Sequence, residues 1–441
     1  MLLSSHAGQR AGPPLSQHTL AASYCQRAVD TRSAPVYYGF QRPPKKFGGN
    51  VLSPESLLEC VCGAPKVNVS CLQENLAKGL AIVGRAVATR SPLPVLSNVL
   101  LATDQGRLKL SAMNQEIGIV HWIGCKVESE GEVTVLARLL GEFIGSLPNE
   151  RVDLQLDKEE LTLHLTCGRY QANVKGIAAE EFPPIPLGEG DPTLVLDAAL
   201  LRESIEQVAM AAASDDPRQY LQGVAVIIES DKVVLVASDG FRMAVRTLAV
   251  ESGVSEKTEF IVPARSLTEL SRILTDSEHP VEIRLTQNRN QVIFSTGDIH
   301  LVSRLIEGTF PNYTQMIPAD HQTEIQVSTL DLMQSARMAS YFARDGANVI
   351  KLEVTPDDEK GNLTITATAT ELGDNRSDLE AQVKGEETLI AFNARYLLDC
   401  VDAINSPDVR IELTGSTSPG VIRPTDDTDY VHVIMPMHTV R

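Results

Sequence analysis

The chain has 441 residues, of which 43% are hydrophobic and 22% are charged. This composition is typical of a soluble globular protein, and the length indicates about two to four domains. The net charge of −18 excludes a surface that is positive throughout, although it permits a local basic region. No segment has the ~18 consecutive apolar residues of a membrane helix, and the first ten residues lack the apolar core of a secretory signal.

The cysteines form an odd, scattered set at Cys25, Cys60, Cys62, Cys71, Cys125, Cys167 and Cys400. In a chain of this length they indicate reduced thiols in a cytoplasmic protein rather than a disulfide framework. Cys60 and Cys62 form the one close pair, and no second pair or histidine follows at zinc spacing. We therefore expect neither a metal nor a cofactor.

Residues 1–66 differ from the rest of the chain. They contain two Pro-Pro pairs, a Gly-Gly pair, and seven basic against three acidic residues. Such a segment buries too little apolar surface to offset its ordering entropy, so we predict a disordered N-terminal extension. Two alternatives are an organelle transit peptide and an upstream translation artefact with the true start near Val67.

From Val67 onward the sequence repeats. Three segments consist of a short apolar strand, an Ala-Arg pair and an amphipathic helix, with the pairs beginning at Ala137, Ala264 and Ala394. These positions are 127 and 130 residues apart. A second helical pattern precedes each segment, beginning near Leu72, Ala199 and Thr329. The near-equal spacing predicts three copies of one domain.

Runs of alternating polar and apolar residues follow the predicted helices, as in VDLQL (152–156), VEIRL (281–285) and VRIEL (409–413). Alternation of this kind is typical of antiparallel strands with one wet face. We therefore predict an α+β protein with two helices packed on antiparallel sheets in each domain. The predicted domains are residues 67–187, 192–318 and 323–441, with Pro and Gly at the boundaries.

The six predicted helices hold ten basic and eight acidic residues, although the rest of the core is strongly acidic. A slightly positive helical surface could face phosphates, but an ordinary solvated helix face predicts much the same count. We find no phosphate-binding loop, dinucleotide fingerprint, zinc-protease motif or nucleophile elbow. Asp215-Asp216 and Asp426-Asp427 lie near Pro and indicate turns. His432 alternates within YVHVIMP and indicates a strand residue.

Six strings occur in order through the repeats: RSPLPVLSNVLL (90–101), SDDPRQYLQGVAV (214–226), ASDGFRMAV (237–245), FIVPARSLTEL (260–270), GTFPNYTQMIP (308–318) and YVHVIMPM (430–437). Together they resemble the bacterial DNA polymerase III beta subunit, the beta sliding clamp family, from Val67 to the C-terminus. The resemblance implies a DNA-clamp fold in which two chains close head to tail into a ring. It also implies that sheets lie outside, that twelve helices line the hole, and that the ring slides on duplex DNA without catalytic activity.

The resemblance also implies site residues. For DNA these are Arg90, Arg138, Gln219 and Tyr220, where Gln219 stands in place of a second aromatic that family members often carry. The implied groove for short peptides of the polymerase, the clamp loader and repair polymerases comprises Leu221, Ser238, Gly240, Phe241, Arg242, Met243, Pro311, Met316, Val433, Met435, Pro436 and Met437. Val174 and Phe342 are implied at the dimer interface.

Besides Gln219, three further departures and two alternative functions accompany this prediction. Asp215 stands where a neutral amide can occur, Phe241 replaces a commonly polar residue, and Gln315 stands where a basic residue can be found. By pattern alone, a core strand is the preferred interpretation of the Met and Val residues of VHVIMPM. The alternative functions are a monomeric peptide-binding scaffold and an α+β enzyme whose site is not recognisable.

Overall fold

In a computed structural model, the described part of the chain comprises residues 67–437 without 89, 189, 253, 255, 345–346 and 358–360. The predicted N-terminal extension, and with it Cys25, Cys60 and Cys62, lies outside these residues. The four remaining cysteines are free thiols. None of the helices in the described ranges combines the length and the apolar character that a membrane span requires.

The first domain places one helix after its first strand and a second helix after its sixth. Its elements are β1 (Val67–Leu72), α1 (Gln73–Val83), β2 (Asn98–Asp104), β3 (Arg107–Met113), β4 (Ile117–Ile123), β5 (Lys126–Ser129), β6 (Glu132–Leu136), α2 (Ala137–Gly145), β7 (Arg151–Asp157), β8 (Thr162–Cys167) and β9 (Tyr170–Ile177). The alternation predicted for residues 152–156 is confirmed, because Val152, Leu154 and Leu156 face the core.

The second domain repeats this order with one strand fewer. Its elements are β10 (Leu194–Leu196), α3 (Ala198–Ala209), β11 (Gly223–Ile228), β12 (Lys232–Ser238), β13 (Arg242–Ala249), β14 (Thr258–Pro263), α4 (Ala264–Leu274), β15 (Val281–Leu285), β16 (Gln291–Thr296) and β17 (Ile299–Arg304). Helix α3 begins after Asp197, whose side chain accepts a hydrogen bond from the Leu200 amide at 2.9 Å. This contact satisfies one of the free N–H groups at the helix start.

The third domain has the same order again. Its elements are β18 (Thr323–Ser328), α5 (Thr329–Ala343), β19 (Val349–Thr355), β20 (Gly361–Ala369), β21 (Gly373–Gly385), β22 (Thr388–Asn393), α6 (Ala394–Asp402), β23 (Asp408–Leu413), β24 (Gly420–Pro424) and β25 (Tyr430–Ile434). The prediction from the Ala-Arg pairs is confirmed, because Ala137, Ala264 and Ala394 each begin the second helix of a domain.

Within each domain the two helices pack together and bury one apolar face against the strands. In α4, for example, Leu267, Leu270 and Leu274 recur at helical spacing and are buried. Every strand pairing in the described residues is antiparallel. The fold is therefore the three-domain α+β clamp fold that the resemblance implied.

The sheets continue from one domain to the next through two equivalent junctions. Strand β4 of the first domain pairs with β17 of the second, with Val120 opposite His300. Strand β13 of the second domain pairs with β25 of the third, with Val245 opposite Val431. Backbone hydrogen bonds therefore join the three domains in series, and the second junction forms the floor of the candidate site.

Candidate functional site

A groove of about 530 Å³ lies over the junction between β13 and β25. Ten of the twelve residues predicted for partner peptides line it: Leu221, Ser238, Gly240, Phe241, Arg242, Met243, Pro311, Met316, Val433 and Met435. They come from four separate parts of the sequence. Three of these parts belong to the second domain, and the pairing of β13 with β25 adds the fourth, from the third domain.

The turn between β12 and β13 shapes one wall of the groove. Gly240 has a φ of +89°, a conformation that favours glycine. The Asp239 carboxylate accepts hydrogen bonds from the backbone N–H groups of Phe241 and Arg242, at 2.8 and 2.9 Å. The Met435 amide donates to the Phe241 carbonyl at 2.8 Å. These contacts hold the Phe241 backbone firmly, while its side chain is 63% exposed at the rim.

The groove has a buried floor and an exposed rim. Leu221, Met243 and Val433 belong to a compact hydrophobic cluster and are almost fully buried. Met316 and Met435, by contrast, are each 44% exposed. Flexible methionine side chains can adapt to several apolar ligands. Within the VHVIMPM string, Val433 therefore lies in the core and Met435 on the rim, and the peptide-binding role of the string stays a prediction.

Arg242 lies behind the rim and joins the second and third domains. Its Nη1 donates to Asp399 Oδ2 at 2.6 Å and its Nε to Asp239 Oδ2 at 3.2 Å. The guanidinium also donates to the Met210 carbonyl and lies 4.5 Å from the centre of the Tyr396 ring. Because Arg242 is 8% exposed, these partners compensate for its removal from water.

A buried polar pair underlies this region. The Tyr430 hydroxyl lies 3.2 Å from His432 Nδ1 and 3.2 Å from the Gln207 carbonyl, to which it donates. Both rings are fully buried. Burial, with a smaller contribution from Arg242, lowers the pKa of His432 to about 3, so the imidazole is neutral at physiological pH. The predicted strand position of His432 in β25 is confirmed.

Two residues predicted for the groove do not line it. Pro436 and Met437 follow the end of β25, and the Met437 amide donates to the carbonyl of Ala391 in β22. Their peptide-binding role stays a prediction. The groove also contains Arg218, Tyr220, Phe310, Gln315, Pro318 and Pro419. Phe310 and Pro318 stood in the GTFPNYTQMIP string, whereas nothing in the sequence around Pro419 indicated this position.

The residues predicted to contact DNA come from three separate parts of the sequence. Arg90 and Gln219 are exposed. Arg138, on the first turn of α2, is 86% exposed and pairs with Glu142 at 2.8 Å. Tyr220 is half-buried and lines the peptide groove, so one loop serves both predicted sites. In the described ranges no three His, Cys, Asp or Glu side chains converge to hold a metal ion.

Comparison with protein families supports the same architecture. The N-terminal, central and C-terminal domain models of the DNA polymerase III beta subunit match residues 67–186, 195–312 and 314–438, respectively. The beta sliding clamp of Synechococcus elongatus is 33% identical over 371 residues, which cover 83% of this chain and 98% of that protein. The beta sliding clamp of Bacillus subtilis is 29% identical over 377 residues, with the same two coverages.

Solved structures of sliding clamps have the same fold. The Bacillus subtilis DNA polymerase sliding clamp matches with a TM-score of 0.79 and 28% identity, over 85% of this chain and all of that chain. A Pseudomonas aeruginosa sliding clamp bound to griselimycin matches with a TM-score of 0.78 and 29% identity, over the same shares. The fold thus defines a clamp protein with an apolar groove over its second interdomain junction. The chain belongs to the DNA polymerase III beta subunit family. It is a sliding clamp, a non-catalytic processivity subunit.

Proposed function

We propose that two copies of this chain close head to tail into a ring around duplex DNA. The ring tethers the DNA polymerase III catalytic subunit, and it binds the clamp loader and repair polymerases through short peptides in the groove. It acts in the cytoplasm and needs no cofactor. The observation that carries the proposal concerns the strand edges. The two interdomain junctions are equivalent, and the two strands that would form a third junction of the same kind, β9 and β21, each have an open edge among the described strands.

The open edges lie at the two ends of the three-domain series. Residues 170–175 of β9 pair with β8 alone among the described strands, and residues 373–381 of β21 pair with β20 alone. Strand β9 occupies the place in the first domain that β17 and β25 occupy in the others. Strand β21 likewise corresponds to β4 and β13. A further junction of the same kind would join β21 to β9 of a second copy, and two such junctions close a ring of six domains.

The ladder partners also predict the register of this contact. Counted from the start of the first helix of each domain, position 376 corresponds to Val120 and Val245. Followed through the strand ladders of each domain, position 171 corresponds to His300 and Val431. Arg376 should therefore face the partner's Gln171. Continuing the antiparallel ladder, Asp378 should face the partner's Arg169. The opposite charges at these two positions support this register.

The two residues predicted for the dimer interface, Val174 and Phe342, would contribute to this arrangement in different ways. Val174 lies on the open edge of β9, but its side chain is buried in the core of its own domain. It would contribute through its backbone, opposite Gly373 in the same register. Phe342 is half-buried on α5, so its exposed part is available to a partner.

Encirclement explains how a protein with a net charge of −18 can remain on DNA. Topology retains the duplex, so a few exposed cations such as Arg90 and Arg138 are enough to position its phosphates. Such contacts carry no sequence information, and their small number permits sliding. A polymerase peptide in the groove would then remain attached to DNA as long as the ring stays closed.

Retention on circular DNA tests the proposal. The purified chain is loaded by its clamp loader onto a nicked circle, and bound protein is measured before and after linearisation. We expect retention on the circle and loss from the free ends. Light scattering should give the mass of two chains. A single chain that binds peptide but is not retained would instead support the monomeric scaffold, and turnover of a substrate would support the enzyme.

A further inference from the structure

A second cavity adjoins the peptide groove. It has a volume of about 830 Å³ and lies between α3 of the second domain and α6 of the third. Phe241 and Arg242 line both cavities. A peptide that leaves the groove across Phe241 therefore enters this second cavity, which we call the acidic cleft.

The cleft has an excess of negative charge. Seven carboxylates and two arginines line it, and two of the carboxylates pair with arginines beside the cleft. One of these arginines, Arg242, is already neutralised by Asp239 and Asp399. Asp215 and Asp402 are exposed and, within the described part of the chain, form no ion pair. An uncompensated field of this sign attracts cationic groups and repels anionic ones.

A buried amide at the cleft also lacks a hydrogen-bond donor. Gln207 lines the cleft and is 3% exposed, yet no described group donates to its Oε1. Its Nε2 makes one long contact, 3.5 Å from the Ala403 carbonyl. Unpaired buried acceptors are uncommon, because an acceptor that leaves water without gaining a hydrogen bond destabilises the fold. A ligand with N–H donors and positive charge would meet both this acceptor and the carboxylates.

The Phe241 ring lies between the two cavities and can contact a ligand on either side. Its exposed ring at the boundary can contact the apolar part of a peptide on the groove side. The same ring face can hold the stem or charge of a Lys or Arg side chain that crosses toward the cleft. Because the backbone of the turn is already held by hydrogen bonds, little backbone freedom is lost on binding.

We propose that the acidic cleft binds basic residues flanking the apolar core of a docked peptide, and thereby selects partners with a cationic flank. This inference rests on the proposed peptide docking in the groove and adds a second specificity element beside it. The preference for a cationic flank should weaken at high salt. The carboxylates of the cleft remain in contact with water, so dissolved ions screen them.

Fluorescence anisotropy with labelled peptides tests this. The peptides share one Leu- and Phe-containing core and carry three Lys, three Ala or three Glu residues before or after it. At about 50 mM salt we expect the Lys flank, on one side of the core, to bind about tenfold more tightly than the Ala flank. In the Asp215→Asn/Asp402→Asn variant this gain should fall to about twofold or less, with binding of the Ala-flanked peptide unchanged.

The matched control is Glu130→Gln/Glu159→Gln, which removes two exposed carboxylates from the first domain. It should keep the full gain. A gain that persists in Asp215→Asn/Asp402→Asn would reflect attraction to the whole acidic protein and would overturn the inference. Equal binding of all flanks would also overturn it, although the groove would stand. If no peptide binds, the proposed docking itself is wrong.

Discussion

Arg242 and Asp399 connect the second and third domains through a 2.6 Å charged hydrogen bond at the back of the groove. Arg242 is 8% exposed, and this carboxylate together with Asp239 balances its buried positive charge. The pair lies in the wall between the groove and the acidic cleft. One contact therefore both secures the domain junction and forms part of the ligand-binding surface.

Replacing Arg242 should destabilise the protein strongly. Arg242→Ala leaves two carboxylates without their cation, and we expect the free energy of unfolding to fall by about 3 kcal/mol. Urea unfolding followed by far-UV circular dichroism measures this. The control is Arg138→Ala, because the Arg138–Glu142 pair is exposed and its loss should cost less than about 0.5 kcal/mol. Equal effects of the two variants would contradict the assigned role of Arg242.

The groove rim can be altered without disturbing the core. Phe241→Ala and Met435→Ala remove exposed side chains, so each should weaken peptide binding about tenfold while leaving the unfolding midpoint unchanged. Leu221→Ala removes a buried side chain and should cost about 2–4 kcal/mol of stability as well. Titration calorimetry and thermal unfolding separate the two effects. Rim variants that unfold, or that bind peptide normally, would show that the groove is assigned incorrectly.

Charge reversal tests the register of the proposed dimer. Arg169→Glu would face the partner's Asp378, and like charges opposite one another in a ladder are unfavourable. We expect the dimer dissociation constant to rise about tenfold, measured by analytical ultracentrifugation. Adding Asp378→Arg should restore most of the affinity. The control is Arg138→Glu, at a position away from either edge strand, which should leave the dimer dissociation constant unchanged. If the double variant does not recover dimer affinity, this register is wrong.

The proposed DNA contacts should affect affinity more than retention. The Arg90→Ala/Arg138→Ala variant loses two phosphate contacts and should bind short duplexes more weakly. The slope of log K against log salt concentration should become shallower by about 2. Retention of the loaded ring on circular DNA should persist because topology maintains it. An unchanged salt dependence would exclude these arginines from the DNA contact.

The buried His432 makes stability depend on pH. Its pKa is about 3 in the folded protein, whereas an exposed imidazole has a pKa of about 6.5. The unfolded chain therefore takes up a proton first, and folded stability falls as the pH drops from about 6.5 toward 3. The contribution of His432 to this loss should reach about 2 kcal/mol at pH 5. In His432→Leu the loss between pH 7.5 and 5 should be smaller, although burial also lowers the pKa of His121 and His300. An unchanged pH dependence in this variant would contradict the buried, neutral assignment.

Local patterns in the sequence predicted the elements well. Period-two alternation identifies strands such as β7 because side chains on a strand alternate between core and solvent. The repeated Ala-Arg positions located the second helix of each domain to the residue. The family strings then named ten residues that line one groove, although their pattern alone did not distinguish Met435 on the rim from Val433 in the core.

The sequence alone determined the three copies of an α+β unit, because hydrophobic periodicity and spacing are properties of the chain itself. Only the tertiary structure decided which strands meet across domains, since β4–β17 and β13–β25 join residues far apart in the chain through backbone groups that every residue carries. The same pairing placed Pro419 in the groove and left Pro436 and Met437 outside it. It also set Arg242 against Asp399, 157 residues away, a contact that no local pattern encodes.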